Sequence, residues 1–392
     1  MPIINRIAEF HPEMTAWRRD LHQHPEIGFR EVRTSGVIAD KLREFGCDAV
    51  ETGIAKTGVV ATIRGSGGGG RAIGLRADID ALPIVEETGL PYASETPGTM
   101  HACGHDGHTA MLLGAAKYLA ETRNFAGSVH LIFQPAEENG GGGRVMVEEG
   151  LFQRFPVERV FGLHNWPSSP EGQFTWREGP IMAAVANIEI MVTGKGAHGA
   201  LPHQGNDPVV IAAQIVTALQ SIVARNVEPT EAGVVTIGSI QGGDTFNVIP
   251  ESVRMLGTAR WFAPAVGDML ERKVQEIATG IASAFGAEAA AKFIRLYPAT
   301  VNEAESTRLT LDAARAVAGE AKVQRMERPT MGGEDFSFML NAKDGSYIML
   351  GAGRGPDDPQ VHHPRYDFND AILPLGASYW ATLVEQLLPR GS

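Results

Sequence analysis

At 392 residues the chain exceeds one typical hydrophobic core and predicts about two domains, with the 43% hydrophobic and 20% charged content of an ordinary soluble globular protein. A net charge of −12 and a pI near 5.5 argue against a nucleic-acid or anionic-membrane partner. Only Cys47 and Cys103 are present, too few for a disulfide framework. The N-terminal residues lack the apolar core of a signal peptide, and the absence of an 18-residue apolar run predicts no membrane span. The expected compartment is the reducing cytoplasm.

Apolar positions Ile4, Ile7, Phe10, Met14, Trp17 and Leu21 recur at helical spacing and predict one helix over 4–22. It should end at His22-Gln-His-Pro25, because proline disfavours helix in the residue before it. A second helix is expected over about 33–45. Strand-like runs at 58–63 and 72–76 flank a glycine-rich stretch, 65–70, that reads as a hairpin turn. No Gly-Lys-Ser/Thr and no helix follows it, so a flexible turn is the better reading than a phosphate cradle.

The strand at 72–76 runs into Asp78 and Asp80, two carboxylates that point to the same side. Strand C-terminal ends are where open α/β sheets place their sites. The densest cluster follows: His101, Cys103, His105, Asp106 and His108 fall within eight residues, with Gly104 and Gly107 between them. A buried helix begins at about Thr109. Such a cluster is expensive to desolvate unless something binds it, and a divalent metal is the usual partner. Thiolate plus imidazole favours zinc or a borderline transition metal over magnesium or calcium. A Cys–His nucleophile and a set of internally satisfied polar groups are the rival readings.

Two further strands, 128–133 and 159–164, deliver Glu137 with Glu138, and then His164. Adjacent carboxylates at a strand end point different ways, so one can bind metal while the other faces substrate. That is an arrangement for general-base hydrolysis. Taken singly, the glutamate pair could be a solvated acidic turn and His164 a structural histidine. One of His362 and His363, ahead of Pro364, offers a final ligand from far along the chain. Asp78 and Asp80 could be ligands, but carboxylates that orient a ligating histidine are favoured.

Near residue 184 the texture changes. A strand at 186–192, a helix at 207–225, strands at 233–240 and 252–260, a helix at 266–285 and a strand at 288–296 follow the β-α-β-β-α-β order of the ferredoxin-like unit. The expected organisation is an α/β domain of residues 1–184 and 301–392, with residues 185–300 inserted as a small α+β domain. In the insert, His198 and Asn247 are donors that could stabilise an oxyanion or hold a carboxylate, though each is as readily a turn residue. Glu334 and Asp335 receive no physical assignment. A final helix begins near Leu373, and the terminal Pro389-Arg-Gly-Ser392 reads as an appended remnant.

Several strings together resemble the M20 metallopeptidases: Leu21-His-Gln-His-Pro-Glu26, Leu75-Arg-Ala-Asp-Ile-Asp-Ala-Leu-Pro83, Met100-His-Ala-Cys-Gly-His-Asp-Gly-His108 and Phe133-Gln-Pro-Ala-Glu-Glu138. Gly162-Leu-His164, Gly196-Ala-His198, Asn247-Val-Ile-Pro250, Gly332-Gly-Glu-Asp-Phe336 and His362 with Pro364 extend the match, in order, over essentially the whole chain. The set is most similar to the M20D amidohydrolases, which include hippurate hydrolases, N-acyl-amino-acid aminoacylases and indoleacetyl-amino-acid hydrolases. The resemblance implies a mixed-sheet α/β dinuclear-metallohydrolase domain with an inserted ferredoxin-like lid that also forms a homodimer.

It further implies two divalent metal ions per subunit, zinc or manganese with cobalt or nickel also fitting, held by Cys103, His105, Glu138, His164 and His362. His362 is preferred to His363 because the family's ligand stands two residues before the proline. By the same resemblance Glu137 is the general base. His198 serves the oxyanion or the substrate carboxylate, Asn247 binds substrate, and Asp80 supports the ligands. Where wider M20 enzymes carry His-x-Asp, this chain has Asp78-x-Asp80, which speaks against Asp78 as a ligand and fits Cys103 acting in a reorganised site. The implied reaction is hydrolysis of a small N-acyl amino acid, hippurate-like or N-acetylated. A dipeptidase on the same scaffold, a catalytically inactive metal-dependent binding protein and a Cys103 thiol hydrolase are the alternatives.

Overall fold

The computed structural model describes residues 3–391, so Met1, Pro2 and Ser392 at the tips of the two termini lie outside the described residues. The chain divides into two compact units. The first comprises the described residues of Met1–Ile181, Val301–Pro329 and Asp335–Ser392; the second comprises Met182–Thr300 and Thr330–Glu334.

The first unit is built on one eight-stranded mixed sheet. Its strands are β1 (Ala49–Ile54), β2 (Gly58–Arg64), β3 (Ala72–Asp78), β4 (Ser128–Gln134), β5 (Arg159–Pro170) and β6 (Phe174–Trp176). The second unit then contributes β7 (Ala184–Thr193), β8 (Gly233–Gln241), β9 (Ser252–Trp261) and β10 (Glu288–Tyr297) to its own sheet. β11 (Val323–Arg325) and β12 (Gly345–Gly353) complete the first. The eight strands lie in the order β1-β2-β4-β3-β5-β12-β6-β11. The centre, β4-β3-β5-β12, is parallel, and β4 has antiparallel β2 on its other side. Parallel strands are covered on both faces, which explains why β3, β4 and β12 are buried almost from end to end.

Two sequence expectations change here. The glycine-rich stretch between β2 and β3 does not close a hairpin. β4 inserts between the two strands and pairs with both, antiparallel to β2 and parallel to β3. The glycines turn the chain, but strand pairing is decided by burial of β4 at the sheet centre. The single helix expected over 4–22 is two, Asn5–Glu9 and α1 (His11–Gln23), with Pro12 starting the second. Proline is accepted in a first helical turn and excluded from an interior.

Helix α2 (Val32–Glu44) packs by one face, whereas α3 (His105–Thr122) is buried on nearly every side. A helix apolar all round is the mark of such a position. It lies among Met14, strand residues such as Leu75 and Phe133, and the C-terminal helix Leu373–Leu387. A short helix, α4 (Gly142–Glu148), follows the Glu137–Glu138 segment.

In the second unit β7 to β10 form an antiparallel sheet in the order β8-β9-β7-β10. Two helices, α5 (Pro208–Arg225) and α6 (Pro264–Ala284), join its strands in the β-α-β-β-α-β order. By length and composition α5 could cross a membrane, although the sequence holds no uninterrupted apolar run of that length there. Its Ile211, Ala212, Ile215, Leu219 and Ile222 recur at helical spacing and are buried in this unit's own core. The first unit closes with α7 (Ala304–Ala318) and α8 (Leu373–Leu387).

Candidate metal centre

Two parallel strand ends, the middle of a third parallel strand and one helix start converge in the first unit. β3 ends at Asp78, β4 leads to Glu137 and Glu138, and His164 lies within β5, which continues past it to Pro170. Helix α3 starts at His105, directly after Gly104, whose φ of 90° no side chain adopts readily. That turn places Cys103 Sγ 3.3 Å from His164 Nε2.

The donor atoms fall into overlapping groups, each within 4.8 Å of one another: Cys103, His105 and His164; Cys103, Glu138 and His362; and His105, Glu137 and Glu138. Cys103 belongs to the first two groups and so stands between them. All these residues are buried except Glu138, which is half-buried, and His362, which is exposed.

The far ring nitrogens show how the histidines are held. His164 Nδ1 donates to the Asn165 carbonyl at 2.6 Å, which leaves the Nε2 lone pair facing Cys103. His105 Nδ1 donates to Asp80, at 3.0 Å to its carbonyl and 3.2 Å to Oδ1. The other Asp80 oxygen accepts the Glu138 amide at 3.0 Å, so one carboxylate braces two segments. His105 Nε2 and Glu138 Oε1 are buried without hydrogen-bond partners, and Oε1 lies 3.2 Å from His362 Nε2. Buried polar atoms left without partners are unfavourable, and a cation between them would supply one.

The charges agree with that reading. Burial pushes the Cys103 thiol well above its usual range, and Glu138, Glu137 and Asp78 push it further, so a thiolate here requires added positive charge. Burial opposes a charged His105, yet Asp78, Asp80 and Glu138 outweigh it and raise this imidazole to about 10. The residues present therefore fit a divalent metal centre.

The remaining members of the cluster are committed elsewhere. His108 Nδ1 donates to Asp78 Oδ1 at 2.6 Å, while Nε2 accepts the Asn165 backbone and side-chain N–H groups, each at 3.0 Å. Asp106 binds His22 Nδ1 at 2.8 Å. His101 is fully buried outside the ligand groups, its ring 6.4 Å from that of His22. His363 accepts the Arg365 amide through Nδ1.

The local backbone is bent to deliver the acids. Ala136 has φ of 52°, unusual for a side-chain-bearing residue, and its amide is held by the buried Glu31 carboxylate at 2.9 Å. His362 has φ of 67° and donates its amide to the Ala102 carbonyl at 2.7 Å, which ties the His362 loop to the turn at Cys103.

Asp335, unassigned from sequence, anchors a buried knot. Its carboxylate receives Arg76 Nη2 at 3.1 Å, Gln134 Nε2 at 2.7 Å and the Gly143 amide at 2.8 Å. Arg76 also donates to Asp78 Oδ2 at 2.7 Å, and the Asp335 amide reaches Glu137 Oε1 at 3.4 Å. Arg76 and Tyr366 stand only within strings that carry the family resemblance, with no role given, and Asn165 is not named from the sequence. Adjacency to His164 was the one available signal for Asn165.

His198 and Asn247 belong to the second unit. Short strands Ala197–His198 and Val248–Ile249 pair there, and the Gly199 amide donates to the Asn247 carbonyl at 2.7 Å. Both side chains are exposed. Glu334, in the same unit, is buried and accepts Thr300 Oγ1 at its carbonyl, 3.4 Å away.

Comparison with known proteins gives likenesses of three kinds. Residues 74–386 match the family described as peptidase family M20/M25/M40. The chain is 40% identical over 388 residues to hippurate hydrolase of Campylobacter jejuni, covering 99% of this chain and 100% of that protein. It is 42% identical over 376 residues to N-acetyl-L-cysteine deacetylase of Bacillus subtilis, covering 95% and 88%. Among solved structures it matches YxeP of Bacillus subtilis, described as a dinuclear metal binding peptidase of the M20 family, with a TM-score of 0.84 and 35% identity over 98% and 100% of the two chains.

Proposed function

The chain belongs to peptidase family M20/M25/M40, and from that premise we propose that it hydrolyses the amide bond of small N-acyl amino acids, hippurate-like or N-acetylated. It is a hydrolase acting on amides. The observation that carries the finer reading is Cys103 standing between two groups of donor atoms, with Glu137 buried beside one of them.

In this reading Cys103, His105, Glu138, His164 and His362 hold two divalent metals, of which zinc best suits a thiolate and imidazoles, with manganese, cobalt or nickel as alternatives. When bound, such a pair supplies Lewis acidity and brings the pKa of water to about 7. Glu137 accepts the proton of the attacking water at a carboxylate oxygen and returns it to the leaving amine nitrogen. The Asp335 amide and the surrounding knot orient that carboxylate. Asp80 holds His105 in the tautomer that presents Nε2. His198 is proposed to donate to the developing oxyanion or to the substrate carboxylate, and Asn247 to bind substrate. The second unit is proposed to act as a lid and as the homodimer surface.

A peptidase action is the second reading, favoured by the likeness to YxeP, which is described as a peptidase. The test is turnover of N-benzoylglycine, N-acetylcysteine and a Gly-X dipeptide by zinc- and manganese-loaded protein. Faster turnover of the acyl amino acids is expected. Preference for the dipeptide would transfer the assignment to the peptidase reading. Activity that survives chelation but not thiol alkylation would overturn both in favour of Cys103 as nucleophile.

A further inference from the structure

We propose that the buried pair Asn165 and Tyr366 is the device that presets the metal centre, setting its affinity rather than taking part in the chemistry. The inference rests on the metal-centre reading above.

Asn165 is wholly buried and follows His164 on β5. Its side-chain Nδ2 donates to the Cys103 carbonyl at 2.7 Å and to His108 Nε2 at 3.0 Å. Its Oδ1 accepts the Tyr366 hydroxyl at 2.6 Å. The backbone of the same residue donates to His108 Nε2 and accepts His164 Nδ1. A primary amide offers two N–H donors and one carbonyl. Here both ends are engaged, and the orientation is forced, because the Cys103 carbonyl can only accept.

Three distant segments therefore meet at one amide. They are the ligand turn at Cys103, the strand carrying His164, and the loop running from His362 to Tyr366. That loop is tied internally as well, since the Tyr366 amide donates to the His363 carbonyl at 2.9 Å. Gly104 completes the fit. A Cβ there would lie 2.4 Å from Asn165 Nδ2 and 2.6 Å from the Tyr366 hydroxyl, so only glycine lets the amide and phenol approach the turn.

The logic is that of preorganisation. Unbraced, Cys103 and the two histidine segments would need ordering when metal arrives, and that ordering would oppose binding. Partners behind the ligands typically change metal affinity by about 10- to 100-fold. The Tyr366 hydroxyl is bonded to Asn165 and not to a proposed ligand side chain. It acts through that amide, which makes the pair separable by experiment.

The test is zinc affinity, measured by competition with a chromogenic chelator, for the full-length parent, Tyr366→Phe, Asn165→Ala and the double variant. Thermal melts of the chelated proteins run alongside. Tyr366→Phe keeps the ring and removes one hydroxyl, so it should fold. It should bind zinc about 10-fold more weakly while the melting temperature of the metal-free protein falls little. Asn165→Ala should weaken binding further. The double variant should match Asn165→Ala alone, because the tyrosine acts through the amide. Parental zinc affinity in Tyr366→Phe, or losses that simply add in the double variant, would overturn the proposal. A parent that takes up no zinc fails at the metal centre itself, and the two failures are thereby distinguished.

Discussion

Glu137 and Glu138 are neighbours proposed to do different work, and that division can be tested one atom at a time. Glu137→Gln keeps size and buried contacts but cannot accept a proton. The expected outcome is unchanged zinc content with kcat lower by about 100- to 10,000-fold, read by metal analysis and steady-state kinetics. A second single-residue prediction concerns His22. Burial disfavours its charged form, but Asp106 and Glu86 more than compensate and raise it to about 9. Its folded value thus exceeds its unfolded value of about 6.5. The charged His22 contributes stability below about pH 6.5, and this is lost as pH rises through about 9. From about 1.4 kcal/mol per pH unit, the contribution is roughly 3 kcal/mol for this fully buried ring. Urea midpoints of the parent and His22→Asn, in the presence of chelator, should converge between pH 6.5 and pH 9.5. What spacing and composition alone could not reveal at this scale is the sorting of similar residues. His101, His105 and His108 look alike in one string, yet His108 has both nitrogens committed to Asp78 and Asn165 while His105 presents Nε2. Spacing alone does not distinguish them, whereas the family resemblance singles out His105.

Among the elements, α3 bears the most constraint. Its first turn carries His105, and its third residue is Gly107, where a Cβ would meet the Phe368 ring at 2.1 to 2.4 Å. Two effects oppose each other in Gly107→Ala. Helix propensity favours alanine by about 1 kcal/mol, whereas overpacking against a rigid ring costs about 1–3 kcal/mol. The clash should win. The variant should unfold at lower urea, with zinc affinity reduced because Phe368 follows the His362 loop. Strong periodicity made the helices legible, and the α/β class followed from their alternation with apolar runs. Pairing was less legible. The Gly65–Gly70 stretch satisfied the local signal for a hairpin, but β4, which begins 58 residues after Gly70, decided which strands met. The break at Phe10 was likewise signalled by Pro12 and masked by the continuous apolar spacing around it.

For the molecule as a whole, the first unit is assembled from both sides of the second, since its chain leaves after Ile181 and returns at Val301. Metal held by residues from both passages should therefore stabilise the first unit globally, not at one loop. Zinc at a thousandfold excess over Kd would add about 4 kcal/mol. Removing it by chelation should lower the main melting transition by several degrees, with recovery on re-addition. A melt indifferent to chelator would place the bound ion, if any, outside the folded core.

The interval between His164 and His362 has a consequence for biosynthesis. The second lies 198 positions after the first (362 − 164). At roughly 5–20 residues per second, a translating ribosome needs about 10–40 s to cross that span. During this time Cys103 has already emerged, ahead of the residue proposed to complete its set. If the proposed set is right, Cys103 is the thiol that would stand unligated through that interval, since its last proposed partner is made so much later.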